Sequence, residues 1–188
     1  MLRHLPNVLS GFRLLAVPVL LVLAATRHET AFACLLITAM LTDIADGWIA
    51  RTFALETPRG AFLDSIADSA LMFVSVYGIW VFHPDVMVEH AVLCWMAVGL
   101  WALENILSLM RYGRLSSFHT YLSKITANLL GVFIGVLFVF GFHPWLFYLA
   151  IGLTILSSVE ELALLGVLRK WRSDVRGLWW VLREREYR

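Results

Sequence analysis

The chain has 188 residues, of which 60% are hydrophobic; its mean hydropathy is +0.77 and its formal net charge is +1. These values lie outside the range of soluble globular domains and indicate a polytopic membrane protein. We expect one all-α domain covering residues 1–188, surrounded by the lipid bilayer and without a nucleic-acid partner.

Six apolar stretches predict six transmembrane helices, because most of them approach the ~20 residues that a helix needs to cross a bilayer. They cover residues 12–26, 30–50, 61–82, 86–110, 121–142 and 145–168. Charged residues, glycine or proline interrupt the chain between them. Two interfacial helices are predicted in addition, one over residues 2–12 and a basic, tryptophan-containing one from Arg169 onward.

The distribution of basic residues predicts the orientation of these helices. In a six-helix topology Arg27 is the only arginine or lysine on one face, and the others fall on the opposite face. The positive-inside rule therefore places both termini in the cytoplasm, in a bacterial inner membrane. The first apolar stretch has features of a signal peptide, but five further spans and Pro18 favour an uncleaved first helix.

Four carboxylates occur where the second and third predicted helices meet. The pattern is Asp43-x-x-Asp46-Gly47-x-x-Ala50-Arg51, eight further residues, and Gly60-x-x-x-Asp64-x-x-x-Asp68. Ionisable groups at membrane depth are costly and mark functional sites. Within each pair the aspartates are three or four residues apart, so they project from one helix face. Two facing helices would bring all four together as hard oxygen ligands for Mg²⁺ or Mn²⁺.

This spacing resembles the signature of the CDP-alcohol phosphotransferases, all eight specified positions of which match. The resemblance implies transfer of a phosphatidyl group from CDP-diacylglycerol to a small alcohol acceptor, with release of CMP. It also implies a homodimer and two divalent metal ions, Mg²⁺ or Mn²⁺, held by the four aspartates. It places the CDP moiety at Gly47, Ala50, Arg51 and Gly60, and gives Asp68 a further role as the general base.

The resemblance extends to the N-terminal segment and to the fourth predicted helix. The segment Asn7-x-Leu9-Ser10-x-x-Arg13 with Pro18 is similar to an N-terminal element of the family, with serine in place of threonine. Arg13 either guards the anionic site or sets the topology. In the fourth helix, Glu104 and Arg111 resemble a motif of phosphatidylglycerophosphate synthases, but Leu103 replaces its first arginine.

Three cations of the following cytoplasmic loop, Arg111, Arg114 and Lys124, are candidates for holding an acceptor phosphate. They favour glycerol 3-phosphate as the acceptor, although cations that only obey the positive-inside rule would look the same. In the sixth predicted helix, Glu160 and Glu161 lie deep enough to require a basic or backbone partner.

Two alternatives stay open at this point. The same chemistry could use another acceptor, such as inositol phosphate, another polyol, or phosphatidylglycerol, which would give cardiolipin. A divalent-cation transporter would also need membrane carboxylates, but it should show broken helices or related halves. Here the aspartates cluster at one face and the sequence has no visible repeat.

Overall fold

The structure, a computed structural model, describes residues 5–52, 58–113, 118, 120–168 and 175–186. All secondary structure within these ranges is α-helical, which confirms the all-α prediction. The helices are α1 (Leu5–Ala25), α2 (Glu29–Thr52), α3 (Pro58–Phe82), α4 (Pro84–Glu89), α5 (Ala91–Tyr112), α6 (Tyr121–Phe140), α7 (Pro144–Val167) and α8 (Leu178–Glu186).

Three of these helices, α5, α6 and α7, are long and apolar enough to cross a membrane by length and composition. Shorter apolar segments lie in α1 (Leu9–Ala25) and α3 (Ile66–Phe82). Large apolar side chains such as Val92, Met110 and Phe140 are exposed on this surface. An exposed apolar surface of this kind suits contact with lipid. The number of six membrane spans stays a prediction.

Three predicted boundaries differ from the structure. The C-terminal helix predicted from Arg169 onward is described only as α8, and residues 175–177 before it are not helical. Residues 2–12 do not form a separate interfacial helix within the described part, because α1 runs without a break from Leu5 to Ala25. The fourth predicted span, 86–110, is divided at His90, whose backbone is not helical. The ring of His90 stacks on Phe147 with a centroid distance of 4.6 Å. Periodicity cannot show this contact, because it joins residues far apart in the chain.

The helices form two compact units, Met1–Glu89 and His90–Arg188. In the first unit, α1 packs along both α2 and α3. Phe32 of α2 lies against Gly78 of α3, where an added Cβ would lie 2.2 Å from Cζ of the ring. Only glycine leaves room for this ring, and small residues at helix contacts are how membrane helices pack closely.

In the second unit, α7 packs against α5 and α6. Phe118 is fully buried in an apolar cluster with Leu164, Leu165, Val175 and Val181. This cluster joins the segment before α6 to the end of α7 and to α8. The backbone N–H of Val175 donates to the carbonyl of Phe118 at 2.9 Å, so the joint also includes main-chain hydrogen bonding.

Glu160 of α7 connects the same three segments by hydrogen bonds. Its Oε1 accepts from the backbone N–H of Leu178 at 3.0 Å, and its Oε2 accepts from the hydroxyl of Thr120 at 3.0 Å. Thr120 is the N-cap of α6, where its Oγ1 accepts from the N–H of Ser123. The predicted need of Glu160 for a backbone partner is therefore met, and it positions the first turn of α8.

Candidate functional site

Three of the four predicted metal-ligating aspartates converge in the first unit. Asp43 lies on the α2 face that buries Leu36 and Ala39, at steps of three and four residues. Asp64 and Asp68 lie one turn apart on α3. These helix faces are apolar further along, so their packing against α1 brings the three carboxylates together. The three carboxylates thus lie at the end of these faces, next to the buried apolar residues.

Arg13 of α1 lies among these carboxylates. Its Nη1 donates to Oδ1 of Asp43 and of Asp68, and its Nη2 donates to Oδ1 of Asp64. The Oγ of Ser10, one turn earlier on α1, lies 3.4 Å from Nη2 and donates to Asp64 at 3.3 Å. Arg13 is completely buried, whereas the three carboxylate side chains are 42–50% exposed. The cluster therefore has a buried cation and an accessible anionic side.

The three carboxylates fit a divalent cation. Each offers one oxygen, and these oxygens all lie within 4.8 Å of one another. Mg²⁺ binds oxygens at 2.0–2.1 Å, so two ligands on opposite sides of the ion are about 4 Å apart. Carboxylate oxygens are also the ligand type that Mg²⁺ and Mn²⁺ prefer. Spacing and donor chemistry thus both suit the predicted metals.

Most of the other residues of the acidic motif lie on described backbone, although their side chains lie outside the description. Asp46, Gly47, Ala50 and Arg51 are in the last turns of α2. Gly60 is in the first turn of α3, which begins at Pro58, so it is helical and does not belong to a loop. The predicted contribution of Asp46 to a metal, and of the other four residues to the CDP moiety, stays a prediction.

Two of the three cations predicted for an acceptor phosphate, Arg111 and Lys124, are in the second unit. Arg111 is exposed, and its Nη2 donates to the carbonyl of Leu168 at 3.0 Å, where the hydroxyl of Tyr112 also donates. Lys124 is exposed in the first turn of α6. Arg114 lies outside the described residues. Arg111 therefore already makes one structural contact, at the end of α7.

A second polar group is buried between α5 and α7. Glu104, Ser158 and Glu161 are all buried, and the last two lie close to the carboxylate of Glu104. Within the described ranges, Oε2 of Glu104 and Oγ of Ser108 have no hydrogen-bond partner. Sequence analysis selected Glu104 from the family motif, and the structure places it against α7.

Sequence analysis did not assign Ser10 a contact and left two roles open for Arg13. The signal was the spacing Ser10-x-x-Arg13, which puts both side chains on one face of α1. That face continues into the buried residues Ala16, Leu20 and Ala24. A serine and an arginine in register with a buried apolar stripe indicate a polar contact inside the unit.

Comparison with known proteins gives a consistent result. The family model of the CDP-alcohol phosphatidyltransferases matches residues 3–156. A CDP-diacylglycerol–glycerol-3-phosphate 3-phosphatidyltransferase of Cereibacter sphaeroides is 30% identical over 137 residues, which cover 67% of this chain and 62% of that protein. The protein of the same name in Rickettsia typhi is 36% identical over 74 residues, or 38% of this chain and 42% of that protein.

A fusion protein of Schizosaccharomyces pombe, named cardiolipin synthase (CMP-forming) / mitochondrial hydrolase, is 43% identical over 68 residues. These residues make up 36% of this chain and 11% of the fusion protein. In each of these three relatives the matched part is less than two thirds of the relative's length. No solved structure gives a significant match.

Proposed function

Because the chain belongs to the CDP-alcohol phosphatidyltransferase family, we propose that it transfers the phosphatidyl group of CDP-diacylglycerol to an alcohol in phospholipid synthesis. The observation that carries this proposal is the convergence of Asp43, Asp64 and Asp68 from two helices. These are three of the four aspartates of the family signature, and they meet with an accessible side.

The four aspartates of the motif would hold two divalent cations, Mg²⁺ or Mn²⁺. When bound, such ions neutralise charge on the diphosphate and on the departing CMP. The close spacing of the three described carboxylate oxygens supports this part of the proposal. Asp46, one turn beyond Asp43 on α2, supplies the fourth carboxylate.

The chain's own residues bind the substrate and handle the proton. Gly47, Ala50, Arg51 and Gly60 hold the CDP moiety, with the guanidinium of Arg51 paired to a phosphate. The acceptor hydroxyl oxygen forms a bond to the phosphorus of the phosphatidyl group, and the bond from this phosphorus to the oxygen of CMP breaks. Asp68 accepts the hydroxyl proton. It is the most exposed of the three described carboxylates, which suits contact with an incoming alcohol.

Glycerol 3-phosphate is the acceptor that we propose first. Two relatives are named for this acceptor and one for cardiolipin synthesis. Arg111, Arg114 and Lys124 would hold the acceptor phosphate. We further propose that residues 1–188 act as one domain, with both termini and the site facing the cytoplasm of a bacterial inner membrane, and that the protein is a homodimer.

A transfer assay tests the function directly. Purified protein is incubated with labelled CDP-diacylglycerol, Mn²⁺ or Mg²⁺, and glycerol 3-phosphate, inositol phosphate, free glycerol or phosphatidylglycerol in turn. We expect CMP release with glycerol 3-phosphate, its loss in excess EDTA, and its return when Mg²⁺ is restored. Full activity in EDTA would contradict the metal role. A better rate with phosphatidylglycerol would correct the acceptor and keep the reaction class.

A further inference from the structure

The structure places a cation among the three carboxylates, and that cation is Arg13. Its two terminal nitrogens contact one oxygen from each of Asp43, Asp64 and Asp68. These are residues that fit a divalent ion. The guanidinium therefore lies beside the same three carboxylates that the proposed metal would use.

An arginine and a divalent ion at the same three carboxylates repel each other strongly. An ion held at 2.0–2.1 Å from these carboxylate oxygens would have the guanidinium nitrogens within about 5 Å. At such a distance, and with one partner completely buried, water screens the repulsion between the two cations poorly. The carboxylates that bind the guanidinium therefore bind the ion less tightly than they would without Arg13.

Arg13 also stabilises the cluster when no ion is bound. Three carboxylates whose oxygens lie within 4.8 Å repel one another unless a cation lies between them. The planar, branched guanidinium can reach several acceptors at once, which a lysine ammonium does less well. The buried position of Arg13 on α1, in register with the stripe that packs on α2 and α3, holds it there.

We propose that Arg13 is a built-in counter-ion, which stabilises the metal-free carboxylate cluster and competes with divalent cations for Asp43, Asp64 and Asp68. Arg13 is thus a positioning residue that tunes metal affinity. This inference rests on the proposed metal binding, but not on the identity of the acceptor.

Two measurements on the full-length purified protein test it. The first is the melting temperature in excess EDTA, and the second is the Kd for Mn²⁺ from the spin-resonance signal of the free ion. We expect Arg13→Gln to lower the metal-free melting temperature and to tighten Mn²⁺ binding on the order of ten- to a hundredfold. That range is the equilibrium equivalent of one charge-assisted hydrogen bond. Arg13→Lys should give intermediate values in both measurements and covers the case in which Arg13→Gln does not fold.

Arg27→Gln is the matched control. Arg27 belongs to the same unit, follows the opposite end of α1 and donates to the carbonyl of Val81 at 3.3 Å. It lies 14 residues beyond Arg13, about 21 Å along a helix. We expect its Mn²⁺ affinity to equal that of the unmodified protein, so a change seen only at Arg13 is not a general effect of removing an arginine.

A double variant separates charge from packing. If Arg13 acts as a counter-ion, Arg13→Gln combined with Asp64→Asn should recover part of the melting temperature lost in Arg13→Gln alone. No recovery would mean that Arg13 only fills space. Equal Mn²⁺ affinity in the unmodified protein and in both Arg13 variants would overturn the inference and leave the proposed function standing. Absence of Mn²⁺ binding in every variant would overturn the metal role itself.

Discussion

The two units both contain polar groups among packed helices, but they satisfy them differently. In the first unit a buried arginine faces three carboxylates that are each partly exposed. In the second unit the carboxylate of Glu160 accepts from the Thr120 hydroxyl and from the backbone N–H of Leu178. The first group keeps an accessible anionic side, whereas both carboxylate oxygens of Glu160 accept hydrogen bonds that connect helices. The aspartates of the first unit thus suit the proposed chemistry, whereas Glu160 of the second unit has an architectural role.

Energetics support this distinction. Charged clusters that are partly or fully buried are weak sources of stability, because desolvation opposes the attraction between the charges. A carboxylate that accepts two hydrogen bonds, like Glu160, stabilises the contact, by about 1.5–3 kcal/mol for each bond to a charged group. Stability alone therefore does not explain the Arg13 cluster. It does explain the two hydrogen bonds that Glu160 accepts.

The largest effect that we expect is from Asp64→Asn in the first unit. It removes one charge from a proposed metal site while keeping an oxygen that can accept from Arg13 and Ser10. We expect turnover to fall at least about a thousandfold, or roughly 4 kcal/mol in activation free energy. CMP release measures this loss. The melting temperature in EDTA should be unchanged or higher, because repulsion among the carboxylates decreases.

Two results would contradict the proposed chemical role of the carboxylates in the first unit. Turnover within tenfold of the unmodified protein would mean that Asp64 does not act in the chemistry. A large drop in melting temperature would mean that the charged cluster is structural, as Glu160 is. Gly78→Ala is a useful control in the same unit, because it should disturb the contact with Phe32 and lower stability without removing a charge.

The next effect in size is on stability and comes from the second unit. Glu160→Ala removes the acceptor of both Leu178 N–H and the Thr120 hydroxyl. We expect a local loss of about 1–3 kcal/mol, since a buried donor without its acceptor is destabilising by this amount. Hydrogen exchange measured along Leu178–Glu186 should increase. Activity per folded molecule should stay within about threefold, a change of only about 0.7 kcal/mol in activation free energy.

Glu160→Gln tests whether the charge matters. The glutamine side chain can accept from the N–H of Leu178 and interact with Thr120. Hydrogen exchange in α8 of this variant should therefore lie between that of the unmodified protein and that of Glu160→Ala. Gly177→Ala tests the same contact between Glu160 and the segment that leads into α8. Gly177 has φ of +150°, and an added Cβ would lie 2.9 Å from Oε1 of Glu160. If none of the three variants alters exchange in α8, Glu160 does not hold the helix.

The local parts of the fold and site were predictable from sequence. Steps of three and four residues correctly indicated that Asp64 and Asp68 share one helix face. Apolar stretches located six of the helices to within a few residues, apart from the start of α1 and the division at His90. These features depend on neighbours along the chain, which periodicity measures.

Contacts between distant residues were not predictable. Arg13 is 30 residues from Asp43 and 55 from Asp68, and their meeting depends on how α1 packs. Arg111 donates to Leu168, which is 57 residues away, and no local pattern indicates this bond. Sequence could therefore identify the charged residues but not choose between pairing and topology as the reason for their presence.

The smallest effect that we expect concerns the acceptor. It tests whether residues of the second unit also take part in the proposed chemistry. The chemistry proposed for the second unit depends on exposed cations. Arg111 and Lys124 both have exposed side chains, and Arg111 also donates to the carbonyl of Leu168. Lys124→Gln should therefore raise the KM for glycerol 3-phosphate about tenfold, the lower end for a charge-assisted contact. Arg111→Gln should raise it only about two- to threefold, because part of its hydrogen bonding is structural.

Steady-state kinetics with each substrate varied in turn measure both values. The KM for CDP-diacylglycerol should stay unchanged in Lys124→Gln, which separates acceptor binding from a general loss of structure. Asn128→Ala, one turn further along α6, is the matched control and should leave both KM values unchanged. If Lys124→Gln leaves the acceptor KM unchanged, this cation only sets topology, and the acceptor phosphate is bound elsewhere. If Arg111→Gln has the larger effect, the bond to Leu168 gives way to the acceptor, and Arg111 has both a structural and a binding role.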